Sequence, residues 1–397
     1  MNPQPAPREV LLLCWRDSGH PQGGGSERYL ERVGAELARR GVAVTYRTAS
    51  YPGAPRSETV DGMFVSRGGG RLSVYPRALL AIAAGRLGRG PLAGRRFDAV
   101  IDTQNGIPFF ATLVADAPTV LLVHHCHRAQ WPVAGRLLGR IGWFLESTVS
   151  PRAHRRNRYL TVSDPSAADL RALGVEGERI TVARNGIDPI PVLPGPLGLA
   201  GAPGLRLCVV SRLVPHKQIE DAITTLATLR RRGHDVHLHV VGDGWWRDRL
   251  RAMLTELDVV PHVTFHGHVD EVRKHQIIAG CDVHLMPSRT EGWGLAVIEA
   301  AQHGVPTIGY HASRGLTDSI VDRVTGLLAH DNDDMTRSAE QLLLDAEHRR
   351  ELGRAAQRRA ARYSWAATTD VVLDVVNQVC ARPVSDCSAA PAQPVAP

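Results

Sequence analysis

Short apolar runs alternate with amphipathic stretches through most of the chain. EVLLLCW at 9–15 fits a strand buried on both faces. RYLERVGAELARRG at 28–41 repeats apolar residues every three or four positions, the period of a helix with one buried face, and Gly41 closes it. VAVTYRT at 42–48 returns to the strand pattern, so the opening predicts a βαβ unit of a parallel sheet. FDAVIDTQ, TVLLVHH and YLTVS read as further strands, WPVAGRLLGRIGWFLESTV (131–149) as a helix, and SAADLRALG as a short helix ending at Gly174.

The alternation then breaks at PIPVLPGPLGLAGAPG (189–204), which has the composition of a linker. It resumes with LRLCVVSR, VHLHVVGDG, HVTFHG, DVHLMPS and PTIGY as strands separated by helical segments. SWAATTDVVLDVVNQVC (364–380) has helical periodicity, and the remaining residues, 381–397, lack the apolar content to fold and read as a disordered tail. The pattern therefore predicts a domain over 1–188, a linker over 189–204, a second domain over 205–363 and a final helix over 364–380.

The total of 397 residues exceeds what one core usually supports, and a hydrophobic fraction of 43% is ordinary for a soluble protein. A net charge of +7 attracts anions. Nucleic acid is disfavoured as the anion, because the basic residues are dispersed, aromatics make up only 5%, and no recognition motif is present. Six cysteines without a CxxC pair imply a reduced, cytoplasmic protein. No run approaches the roughly 20 apolar residues that span a bilayer, so any membrane contact would be peripheral, at the inner face. The apolar positions of 131–145 followed by PRAHRRNR are compatible with such a contact, though such a pattern is more often a core-facing helix and a solvated loop.

The most informative chemistry lies in EGWGLAVIEAAQHGVP (291–306), where Glu291 and Glu299 flank a Gly-Trp-Gly turn that opens an apolar helix. The turn offers backbone N–H groups and the positive end of a helix dipole to phosphate, and the carboxylates accept hydrogen bonds from sugar hydroxyls. Glycoside hydrolysis fits poorly: eight helical residues rise about 12 Å, more than two cooperating carboxylates across one sugar require. A second loop, SRLVPHK (211–217), carries Arg212 and Lys217 after a strand, a bidentate fork and a compact charge suited to a diphosphate. Lys217 and Lys274 are the only lysines. GGGSE (23–27) follows the first strand at the sheet edge where ligands of such folds bind. In HHCHR (124–128) adjacent side chains alternate in direction, which argues against one enclosed metal ion.

Taken in order, GGGSE, RNGID (184–188), SRLVPHK, VVGDGWW, FHGHV and the E(x7)E helix resemble the motifs of the retaining glycosyltransferases of family 4. The resemblance covers nearly the whole chain. It implies an α/β chain with the GT-B fold, two facing Rossmann-like domains around a cleft, and a final helix that returns to the first domain. It also implies a retaining hexosyltransferase that moves sugar from a UDP- or GDP-linked donor to a hydroxyl acceptor, without metal or other cofactor. The acceptor is a lipid, a saccharide or a small cyclitol. By the same resemblance Gly24, Gly25, Arg212, Lys217, Gly242, His266, Gly267, Glu291, Gly292, Trp293, Gly294, Leu295 and Glu299 would line the donor, and Ser26 and Glu27 the acceptor. Arg212, Lys217 and Glu291 would serve catalysis together with His124, or in the alternative His125, beside the transferred sugar. Two departures stand out: HHCHR lacks the family's usual His-Asp pair, and Trp245 and Trp246 replace a proline after GxG. A sugar-nucleotide epimerase of the same fold, or a non-catalytic sugar-nucleotide-binding protein, is the alternative.

Overall fold

The structure is a computed structural model that describes residues 7–20, 23–128, 131, 135–194 and 204–381. Most of the predicted linker and nearly all of the predicted tail fall outside the described residues, as do 132–134 of the predicted helix.

The first half contains β1 (Glu9–Leu13), α1 (Gly25–Arg39), β2 (Ala43–Thr48), β3 (Ser57–Val60), β4 (Met63–Arg67), α2 (Val74–Arg86), β5 (Ala99–Gln104), β6 (Thr119–Val123), α3 (Arg136–Phe144), α4 (Ser150–Ala153), β7 (Arg158–Thr161), α5 (Asp164–Ala172) and β8 (Ile180–Val182). The second contains β9 (Leu205–Val210), α6 (Ile219–Arg231), β10 (Val236–Val241), α7 (Arg247–Glu256), β11 (Val263–Gly267), α8 (Glu271–Ala279), β12 (Val283–Met286), α9 (Leu295–Gln302), β13 (Thr307–Tyr310), α10 (Leu316–Ser319), β14 (Gly326–Ala329), α11 (Asn332–Leu344), α12 (Ala346–Ala360) and α13 (Trp365–Cys380).

Two sheets result, an eight-stranded one in the order β3-β4-β2-β1-β5-β6-β7-β8 and a six-stranded one in the order β11-β10-β9-β12-β13-β14. Every pairing is parallel except β3 with β4. β3, β4 and α2 are absent from the sequence expectations, as are α10, β14, α11 and α12 after β13. SETV is mostly exposed and lacks an apolar face, so its strand state comes from pairing with β4.

The sheets share hydrophobic material. α1 buries Tyr29, Leu30, Val33 and Leu37 along one stripe, and α13 lays Val372, Val375 and Val376 onto the same core. That cluster continues into the second half through Trp293, Val297 and Leu316. Tyr29 meets Trp365 edge-on at 5.9 Å. Gly186 of RNGID sits against the start of α13, where a Cβ would lie 2.3 Å from the Trp365 amide nitrogen. A glycine there lets the two backbones touch.

Polar pins cross the same interface at Asp318, whose side chain is nearly fully buried. Its carboxylate accepts from Arg184 Nε at 2.8 Å and Nη2 at 2.9 Å, from the Asp164 amide at 2.9 Å and from Trp293 Nε1 at 3.1 Å. Burial alone would raise its pKa, but the Arg184 and Asp164 hydrogen bonds hold it below the usual aspartate value. Among the described residues no helix is long and apolar enough to cross a membrane. Asp318→Ala should lower unfolding free energy by about 3 kcal/mol, because it leaves Trp293 Nε1 and Arg184 without an acceptor. Urea denaturation tests this, and a loss under about 1 kcal/mol would show that water replaces the carboxylate.

Candidate functional site

The carboxyl ends of both sheets meet in one cleft. On the first wall, the chain leaves β1 through Arg16 and reaches Gly24, which precedes α1 with an extended backbone. The Gly24 amide donates to Glu27 Oε2 at 2.8 Å, Ser26 Oγ donates to the same oxygen at 3.0 Å, and Arg16 Nε donates to Glu27 Oε1 at 2.7 Å. Glu27 is completely buried. The Glu27 carboxylate, expected to reach acceptor hydroxyls, ties down its own loop, and the part-buried Ser26 donates to it. The glycines matter for close approach. A Cβ on Gly25 would stand 3.1 Å from Leu295 Cδ1, and one on Gly24 would stand 3.9 Å from Arg212 Nε, both across the cleft.

On the second wall, Arg212 leaves β9 and a single helical turn carries Lys217. Gln218 then adopts a left-handed backbone, φ 46°, before α6 begins, a strained conformation of the kind that functional loops retain. Arg212 has no ion pair among the described residues. Burial, and then the like charge of Arg16, lower its pKa. Arg16, which lies over the Trp15 ring at 4.0 Å, was missed in the sequence reading. Its place directly after the first strand, beside the Gly-rich turn, was the available signal.

Glu291 pairs with Lys217, and both side chains are largely buried. One turn into α9, Glu299 accepts from Lys274 Nζ at 2.9 Å and lies 3.8 Å from Arg28 Nη1. The only two lysines of the chain thus each hold one glutamate of the E(x7)E motif. Glu299 belongs to a wider network, in which Arg28 also bonds Asp188 and Glu271. The Glu299 carboxylate, expected to face a ribose, thus pairs with Lys274 and lies near Arg28.

Trp293 turns its side chain into the core. It is 1% exposed, edge-on to Tyr363 at 4.8 Å and bonded to Asp318, so its ring holds the turn, and only its backbone is left for a donor. Gly292 faces the first domain, where a Cβ would stand 2.8 Å from the His124 carbonyl oxygen. Gly294 has φ 90° and no side chain caps α9, whose first residue is Leu295. At the sheet edge Gly242 donates its amide to the Gly267 carbonyl at 2.8 Å. With φ 125°, a Cβ on Gly242 would lie 2.0 Å from the Ser211 oxygen, so this glycine lets two loops pack. His266 meets His239 Nδ1 through Nε2 at 3.1 Å.

The two adjacent histidines point apart. His124 is 6% exposed, its ring is edge-on to Tyr29 at 5.2 Å, and its Nε2 has no hydrogen-bond partner. His125 has its pKa pushed far down by burial, then by His127, His124, Lys217 and His216. It is therefore His125 that senses the charges of the opposite wall. His216, also missed, is lowered to about 4 by burial, then Lys217 and Arg212, and its carbonyl accepts from the Arg289 amide at 2.9 Å, joining the two loops. Glu146 fixes the rest of HHCHR by accepting from the His127 amide at 2.9 Å. Among the described residues no group of three or more His, Cys, Asp or Glu side chains could hold a metal ion.

Burial lowers the His124 pKa from 6.5 to about 4. Between those values the unfolded chain binds the proton and the folded chain does not, so stability rises with pH through the window and falls as pH drops from 6.5 towards 4. His124→Gln should flatten part of that slope in urea midpoints measured across the window. An unchanged slope would mean that His124 does not titrate as a buried neutral base.

Comparison with known proteins supplies the family. The "Glycosyltransferase Family 4" model matches residues 23–190, and "Glycosyl transferases group 1" matches 203–359. A GDP-mannose-dependent alpha-(1-6)-phosphatidylinositol monomannoside mannosyltransferase of Mycobacterium tuberculosis is 33% identical over 260 residues, a match spanning 61% of this chain and 65% of that protein. A D-inositol 3-phosphate glycosyltransferase of Stackebrandtia nassauensis is 30% identical over 409 residues, covering 92% of this chain and 90% of its own. Among solved structures, sucrose-phosphate synthase from Thermosynechococcus elongatus superposes with a TM-score of 0.77 at 18% identity, over 94% of this chain and 99% of its own.

Proposed function

The chain belongs to the family 4 glycosyltransferases of GT-B fold, and we propose that it moves a hexosyl unit, with retention, from a GDP-linked donor to a hydroxyl of an inositol-bearing acceptor. The observation that carries the reading is Arg212, an exposed guanidinium in the cleft with no ion pair among the described residues, beside Arg16 and near the Lys217–Glu291 pair. Such a site asks for an anion, and the diphosphate of a sugar nucleotide supplies one. The GDP-linked donor and the inositol-bearing acceptor are supported by what the two relatives are named for.

Cleaving the bond from the anomeric carbon to the phosphate oxygen leaves positive charge on the sugar and negative charge on the diphosphate. Arg212, Arg16 and Lys217 stand as fixed donors to that negative charge and do not need to reorganise during the step. Their charge lets the reading dispense with a metal. The carboxylates are paired, Glu291 with Lys217 and Glu27 with Arg16. This favours attack by the acceptor on the face the diphosphate leaves, with a phosphate oxygen taking the acceptor's proton. Glu291 then positions sugar hydroxyls, and His125, whose pKa Lys217 and His216 help to push down, is the candidate beside the sugar.

GDP should raise the unfolding midpoint more than UDP, dTDP or ADP, by linkage. GDP release from GDP-mannose should depend on an inositol-bearing acceptor. Lys217→Ala should reduce kcat by about 10² to 10³, the usual loss for one such donor. Acceptor-independent conversion of the sugar would favour an epimerase, and a loss under about fivefold would remove Lys217 from the mechanism.

A peripheral contact with an anionic bilayer completes the proposal. α3 packs inward through Gly139 and Gly142, the latter against the Trp131 ring, so that Leu137 (73% exposed), Leu138 (64%) and Phe144 (56%) face outward. Arg136 and Arg140 are exposed on the same short helix. Apolar anchors among arginines suit an acidic lipid surface. The protein should sediment with phosphatidylglycerol vesicles and not with phosphatidylcholine vesicles, and Leu137→Glu with Phe144→Glu should abolish this. Equal binding of that double variant would refute the contact.

A further inference from the structure

A cavity of about 530 Å³, lined by none of the cleft residues named above, opens on the first domain among Arg47, Arg56, Arg67, Arg77, Ser66 and Gly68. Val44 and Tyr46 of β2 pack under α1. Arg47 alternates with them and so projects to the opposite face of the sheet, the α2 side. Arg47 is 4% exposed, and its one side-chain hydrogen bond among the described residues goes from Nη1 to Ser66 Oγ at 2.8 Å. Its Nε has no partner. A buried guanidinium without a counter-charge is costly to keep.

The neighbours deepen the imbalance. Arg67 is already neutralised by Asp17 and Glu58, whereas Arg47 has no ion pair among the described residues. Burial, and then the like charge of Arg77 on α2, lower its pKa. Gly68 makes the room, since a Cβ there would stand 2.3 Å from Arg47 Nη2.

We propose that this pocket is an oxyanion site for the phosphate monoester of a small soluble molecule, with Arg47 as the buried donor and the exposed Arg56 and Arg77 at its mouth. Guanidinium groups match phosphate oxygens bidentately, and several of them around one point favour a dianion. The cavity volume falls in the range of small-molecule sites. The inference does not rest on the transfer reaction or on the identity of its donor.

The test is the thermal midpoint of the full chain titrated with inorganic phosphate, with glycerol 3-phosphate, and with vesicles containing phosphatidate. Both soluble phosphates should raise the midpoint saturably in the wild type and also in Arg212→Gln, in which the nucleotide cleft is disabled. Arg77→Gln, on the helix surface, should weaken the apparent affinity by about tenfold or more, the loss of one charge-assisted hydrogen bond. Arg47→Met should abolish the response and raise the midpoint without phosphate, because it removes an uncompensated buried charge. An undiminished response in both Arg77→Gln and Arg47→Met, or a response lost only in Arg212→Gln, would overturn the site. A response to phosphatidate vesicles alone would overturn the assignment to a soluble molecule.

Discussion

The arrangement depends on one buried carboxylate. Asp318, on a four-residue helix of the second domain, takes a hydrogen bond from Trp293 and so fixes the turn between Glu291 and α9. The same group takes Arg184 and the Asp164 amide from the first domain. The shape of the turn and the approach of the two walls are therefore set by one group in a site of low exposure, where hydrogen bonds to charge are strongest. Trp293 is conspicuous in the sequence between two glycines, but its work is done inside the core.

The cleft stores its charge in pairs. Lys217 holds Glu291, Lys274 holds Glu299 and Arg16 holds Glu27, while Arg212 has no ion pair among the described residues. Paired groups cost little while the cleft is empty, and an incoming diphosphate can compete for the lysine of the first pair. The unpaired Arg212 gives the site its net demand for negative charge. The histidines nearby stay neutral, since burial and cationic neighbours push their pKa values down, so they add polar contacts without adding to that demand.

The first domain differs from the second in where it puts apolar and cationic groups. α3 turns its glycines inward and its leucines outward, the reverse of a core helix, because Trp131 fills the space that a larger inward side chain would need. The β2 flank keeps an arginine where the strand pattern would otherwise place an apolar residue. Neither choice helps the domain fold, and each fits a surface or ligand that the chain itself does not provide.

The sequence alone determined most of the parallel strands of the two sheets and the family, because buried parallel strands are written as continuous apolar runs and glycines mark the turns where backbones approach one another. It also named Arg212, Lys217 and Glu291, which the fold brings to one cleft. Tertiary structure alone decided what each polar group faces. Period 2 along a strand could not say whether His124 or His125 met the opposite wall, and no local pattern foretold that Glu27 would be spent on Arg16, Glu299 on Lys274, or Trp293 on Asp318. Those partners lie 11 to 25 residues away in the chain. Pairing at such separations depends on how helices and sheets pack, which residue spacing within one element does not encode.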